Sequence, residues 1–435
     1  MRSTRRNYWW FFFLLGLLFL TGLGYGYWHW QHPQDPYRAK AYSLAAPYRF
    51  DIPRWEAKAL WSEARERLAV RPPDPSSPEA KRLVLDYLHV AQRIGALEGE
   101  IERTVAESPD RQKAQAQISP LQTQVNRLRL HQASRRSVVE QILARQVSTI
   151  IAREHLGWLG GALPPVAFQF TEPPYYLVLS YRTHIETRLG IHLKPQLSLD
   201  TREHLETISE KELPDTSALV VGIGGFSTWP TMIIDQANLK WILSTIAHEW
   251  THTYLIAFPL GQHYFDNSDM SAINETVADM VGNEVGKKAL ARFYPERLPP
   301  TPVPTPTPIP GQVRPPQKIS PTPSPPPAFD FVREMRITRE TVDKLLAAGK
   351  VREAEEYMEK RRRFFVAHGY YIRKLNQAYF AFHGTYRTGP AAPAKDPIAP
   401  RLRKLRLESP TLADFLHKVR GIRKMEDLLH LVPQP

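Results

Sequence analysis

Residues 247–255 read AHEWTHTYL. On an α-helix, positions four apart lie on one face, so His248 and His252 can turn their imidazoles towards one metal ion at metal–nitrogen distances of about 2.0–2.1 Å. Glu249 stands on the flank of that pair. There it is badly placed to ligate but well placed to take a proton from an attacking water, the general-base role that the H-E-x-x-H spacing serves in metal-assisted hydrolysis. Three residues are too few to exclude coincidence in a chain with 15 histidines. A third ligand is needed.

Working outward, the motif sits in the second half of an expected helix, DQANLKWILSTIAHEWTHTYLIAF, opened by Asp235 as N-cap and stopped by Pro259 and Gly261. Downstream, INETVADMVG (273–282) places Glu275 after 22 intervening residues. It lies in a second expected helix, from about Ser271 to Phe293, which can return antiparallel through the Gly261 to Asp269 loop. Asp279, one turn further along the same face, is positioned to accept the second N–H of a ligating imidazole. Ile273, Val277, Ala278, Met280 and Val281 surround these acids, which argues against a solvated acidic face. The chain has no cysteine, so thiolate ligands and disulfides are both excluded and a metal must be held by His, Asp or Glu.

HEWTH followed by NETVAD resembles the gluzincin metallopeptidases, over about Ala218 to Val285. The resemblance implies an α+β, zincin-like catalytic domain: a small mixed sheet, an HExxH helix and a glutamate-ligand helix. It implies zinc as cofactor, with His248, His252 and Glu275 as ligands, Glu249 as catalytic base and Asp279 as the partner of a ligand imidazole. A peptide or protein is the implied substrate. The 22-residue gap is slightly longer than is usual in that class, and the flanking regions resemble nothing known, so the chain reads as a divergent member. In the class an edge strand ahead of the zinc helix lies along the substrate. VVGIGGFSTWPTMI (220–233) occupies that place, with Gly224, Gly225 and Phe226 as the substrate-binding residues. No glutamate stands between Gly222 and Ile234 to hold a free amine, which favours endopeptidase over aminopeptidase action. A donor to the developing oxyanion is expected from NQAYFAFHGTY (376–386), where Tyr379, His383 and Tyr386 compete and Tyr386 is preferred. His155, His184, His192, His204 and His263 lack ligand spacing and read as ordinary.

The 435 residues carry 57 Lys and Arg against 44 Asp and Glu, a net +13 that favours anionic surfaces. Tyr8 to about Trp28 is free of charge, long enough to span a bilayer, and preceded by Arg2, Arg5 and Arg6. This predicts a single-pass cell-membrane protein, N-terminus cytoplasmic and catalytic region outside. The expected organisation is a stub and transmembrane anchor at 1–30, a stalk at 31–77, a helical hairpin at 78–161 and the catalytic core at 162–297. A Pro/Thr-rich tether or loop follows at 298–327, then a helical region at 328–435 that helps complete the active site. The hairpin is read as a layer packed on the core or as an arm for a protein partner. Nucleic acid is not an expected partner. The rival to an enzyme is an anchored interaction module in which zinc only braces the fold; an intramembrane protease is disfavoured by the polarity of the Glu275 helix.

Overall fold

Apolar residues three and four apart carry most of the chain into helices, and two β-branched and aromatic stretches break the pattern. The computed structural model describes residues 35–107, 111–158, 161–298, 329–393 and 395–433. Helices α1 (Pro36–Ala45) and α2 (Ile52–Ala69) lead into a long pair, α3 (Pro78–Glu107) and α4 (Arg111–Arg153). Strands β1 (Phe168–Phe170), β2 (Tyr175–Tyr181) and β3 (Thr187–Leu193) follow, then α5 (Leu199–Glu212), β4 (Thr216–Gly222), β5 (Gly225–Phe226) and β6 (Thr231–Ile233). Next come α6 (Leu239–Leu255), the short α7 (Pro259–Gln262) and α8 (Ser268–Phe293). The last helices are α9 (Phe331–Ala347), α10 (Val351–Ala367), α11 (Gln377–His383), α12 (Ile398–Leu407), α13 (Leu412–Val419) and α14 (Met425–Leu431).

The largest core gathers Val84 and Leu88 of α3, Ile142, Leu143 and Ile150 of α4, Ile242, Ile246 and Tyr254 of α6, and Ile273, Val277 and Val285 of α8. Leu402, Phe415 and Leu428 from α12–α14 close it. The base of the α3/α4 hairpin is therefore part of this core, while Ile94, Leu97 and Val125 form a separate seam between the two helices. Helices α9 and α10 have their own cluster around Met335, Val342, Met358 and Phe365.

Sequence reading expected one small mixed sheet in a zincin-like domain; the structure has two sheets of three strands. One runs β1-β6-β5, with β1 parallel and β5 antiparallel to β6, so β5 is an edge. The other runs β3-β2-β4, antiparallel throughout. Alternation splits its side chains: Leu177, Leu179, Ile191 and Val220 face α1 and α5, and Val178 and Leu219 face α11. The architecture is thus corrected to a helix-dominated one with two small sheets, and no zincin fold is established by it.

The membrane expectation is also corrected. Tyr8 to Trp28 lies outside the described residues, and among the described residues no helix is long and apolar enough to cross a membrane. Length alone does not suffice: α3 has 30 residues and α4 has 43, but charged residues recur along both. Neither the single-pass anchor nor the extracytoplasmic placement that depended on it is retained. The Pro/Thr-rich segment also lies outside the described residues, apart from its first residue, Leu298.

Candidate metal centre

Helix α6 begins at Leu239, capped by Asn238, whose side chain accepts from Trp241 N–H at 2.9 Å. Asp235 is not the cap. Its carboxylate instead accepts from the Tyr87 hydroxyl at 3.0 Å and Gln132 Nε2 at 2.8 Å, tying the hairpin to the entry of the motif helix. Helix α8 starts at Ser268, where Asn267 caps Asp269 and Met270 N–H. The two helices approach closely because α8 presents glycine. A Cβ at Gly282 would stand 2.7 Å from Ser244 O and 2.9 Å from His248 Cβ, and one at Gly286 would stand 2.7 Å from Ser244 Cα.

That approach brings Glu275 to the histidine pair. His248 Nε2 and His252 Nε2 are 3.0 Å apart, and Glu275 Oε2 lies 3.4 and 3.5 Å from them. Four-coordinate ligands at about 2.0–2.2 Å from a common centre stand roughly 3.3–3.5 Å from one another; the two edges to Glu275 have that length, and the histidine–histidine edge is a few tenths of an ångström shorter. Glu275 Oε2 is buried and accepts no hydrogen bond, an orphan that a cation would satisfy. His248, His252 and Glu275 form a group able to hold a metal ion. Burial alone would raise the Glu275 carboxyl, but His252 and His248 hold it far below the ordinary carboxylate range. Burial opposes a charged His252 ring, yet Glu275, Glu249 and Asn274 lift its pKa to about 9. Metal uptake at neutral pH therefore displaces a proton from the cluster.

The remaining atoms of the ligands are oriented from outside the sequence motif. His252 Nδ1–H donates to Asn274 Oδ1 at 2.8 Å, and Asn274 Nδ2 donates to Leu260 O at 3.0 Å, which fixes the amide's direction. That tautomer leaves Nε2 a free lone pair towards the ion. The Tyr264 hydroxyl donates to Glu275 Oε1 at 2.6 Å and so turns Oε2 inward. Asp279, expected to partner an imidazole, accepts instead from Asn283 Nδ2 at 3.0 Å and the Thr388 hydroxyl at 2.6 Å. It sits one turn too far along α8. We expect Asn274→Ala and Tyr264→Phe each to weaken metal binding by about 10- to 100-fold, measured by competition with a chromophoric chelator, and Asp279→Asn to change it less than either.

Glu249 is buried beside this group, and its Oε2 accepts a short hydrogen bond from the Ser227 hydroxyl. Its other oxygen lies against Gly225, where a Cβ would overlap it, and Gly224 is packed on the Trp241 ring. The edge strand β5, carrying Gly225 and Phe226, therefore runs directly over Glu249. Of the three candidates in 376–386, Tyr386 is the one whose ring meets a ligand, 6.2 Å from that of His248. The Glu275 charge, burial, and the charges of Glu249 and Asp279 raise its pKa well above the usual phenol value, so its hydroxyl stays a donor. Sequence reasoning missed Asn274, Tyr264 and Ser227. Asn274 had a signal, being the residue before Glu275 in the same helix; the other two are in loops with none.

No protein-family model, no curated protein and no solved structure matches this chain.

Proposed function

We propose that the chain is a zinc-dependent peptidase, a divergent relative of the gluzincins, that hydrolyses peptide bonds with Glu249 as general base. One observation carries the reading: a buried carboxylate adjoins a two-histidine, one-glutamate cluster and is covered by the backbone of an edge strand. A metal that merely braces a fold requires no such base. Nitrogen and oxygen donors without thiolate suit zinc, with His248, His252 and Glu275 holding it. Zinc supplies Lewis acidity there, activating water and polarising the scissile carbonyl.

The chain's own residues do the rest. A peptide adds to the open edge of β5 through main-chain hydrogen bonds, while Gly225 lets Glu249 lie directly against that strand. Ser227 fixes the rotamer of Glu249, which takes the proton of the attacking water and passes it to the departing amine. Tyr386, kept protonated, donates to the oxyanion. Endopeptidase action is favoured.

The test is incubation of the zinc-loaded full chain with a pool of unrelated peptides, read by mass spectrometry. New internal termini are expected, lost on chelation and restored by zinc. A pool left intact under all three conditions contradicts the reading.

A further inference from the structure

The face of the β3-β2-β4 sheet that α11 covers is covered only in part. Val178 and Leu219 pack under Ala378, but Tyr176 and its cross-strand neighbour His192, at the end of that face, remain half-buried. Burial and then the Glu275 charge raise the Tyr176 hydroxyl's pKa, and the His192 ring lies 4.4 Å from that of Phe226 on the edge strand.

These rings belong to a continuous arc. From Phe226 it passes to His192, then to Tyr176 at 4.7 Å, Phe382 at 6.0 Å, Tyr386 at 6.4 Å and the ligand His248 at 6.2 Å. All six are half-buried, so each keeps an accessible side. The arc starts on the strand that covers Glu249 and ends on a metal ligand. Gly190 makes this possible, because a Cβ there would collide with the Tyr176 hydroxyl.

His192 is the one polar ring between Tyr176 and Phe226. Burial alone lowers its pKa to about 4, so it is neutral at physiological pH. Among the described residues its ring nitrogens have no hydrogen-bond partner. A neutral imidazole offers one donor and one acceptor. An occupant with a flat apolar body and a hydroxyl at its edge would satisfy the wall and the imidazole together.

We propose that the arc is a side-chain subsite for tyrosine next to the scissile bond, with His192 as the residue that distinguishes tyrosine from phenylalanine. The proposal rests on the peptidase reading for its register along β5, but its test does not depend on turnover. The zinc-loaded full chain carrying Glu249→Gln is titrated calorimetrically with alanine hexapeptides bearing a central Tyr, Phe or Ala. Pockets built to hydrogen-bond a hydroxyl reject analogues lacking it, so Tyr should bind about fivefold or more tighter than Phe, and Phe about tenfold tighter than Ala. Adding His192→Phe should erase the Tyr-over-Phe difference and keep Phe over Ala, at unchanged zinc content. Tyr176→Ala should bring all three within about threefold. Equal binding of Tyr and Phe peptides by the parent, no binding of any peptide, or a tyrosine preference that survives His192→Phe overturns the proposal. Wild-type chain that cuts none of the three overturns the peptidase reading instead, whatever the order of binding.

Discussion

Glu249→Gln is expected to keep the fold and the metal while peptide hydrolysis falls by about 10²-fold or more. Glutamine has the same shape, and its amide oxygen still accepts from Ser227, the contact that sets the side-chain rotamer. Gly225 continues to pack against it. What it loses is basicity. The variant cannot take the proton of an attacking water, so loss of rate without loss of metal is the signature of a base. A centre that only braces the fold predicts no rate to lose and no difference between the two proteins. Initial rates on the most susceptible peptide of the pool, with metal content measured on the same sample, separate the cases.

Glu275→Ala should act through the metal. Zinc binding to four protein ligands is worth about 10–16 kcal/mol, or roughly 3 kcal/mol per ligand, so deleting one of three should weaken binding by about 10²-fold or more. The apo site would also lose the carboxylate that does most to raise His252 against its burial. The metal-free variant should therefore fold, whereas Gly282→Val, which thrusts a side chain at Ser244 O and His248, should cost both metal and stability. A chelator-competition titration of Glu275→Ala that matches the wild type would remove Glu275 from the ligand set.

The centre was legible where its chemistry is local. His248, Glu249 and His252 share one helix, and the 3.6-residue period alone decides which of them converge. Glu275 was legible from the apolar residues around it, since a buried carboxylate needs a partner. Reading failed where long-range contacts choose between equivalent residues. Asp235 and Asn238 are both good helix caps, and Asp235 loses the role because Tyr87 and Gln132 of the hairpin engage it. Asn274 and Asp279 both flank Glu275, but only Asn274 reaches the far nitrogen of His252, and the helix crossing that decides this depends on Gly282 and Gly286. Strand pairing is non-local too. Period-two patterns in 166–233 announce strands without saying that they divide between two sheets. His192 reads as ordinary in sequence because nothing near it in the chain foretells Tyr176 and Phe226 as neighbours. The apolar run from Tyr8 to Trp28 lies outside the described residues, among which no helix is long and apolar enough to cross a membrane.

Hydrolysis by this chain depends on His248, His252 and Glu275 holding one ion. Elemental analysis of the purified full chain, after metal-replete preparation and removal of loosely bound ions, tests that most directly. About one zinc per chain is expected, from tight binding by three protein ligands. Zinc below about 0.2 per chain, with no other transition metal in its place, would contradict it.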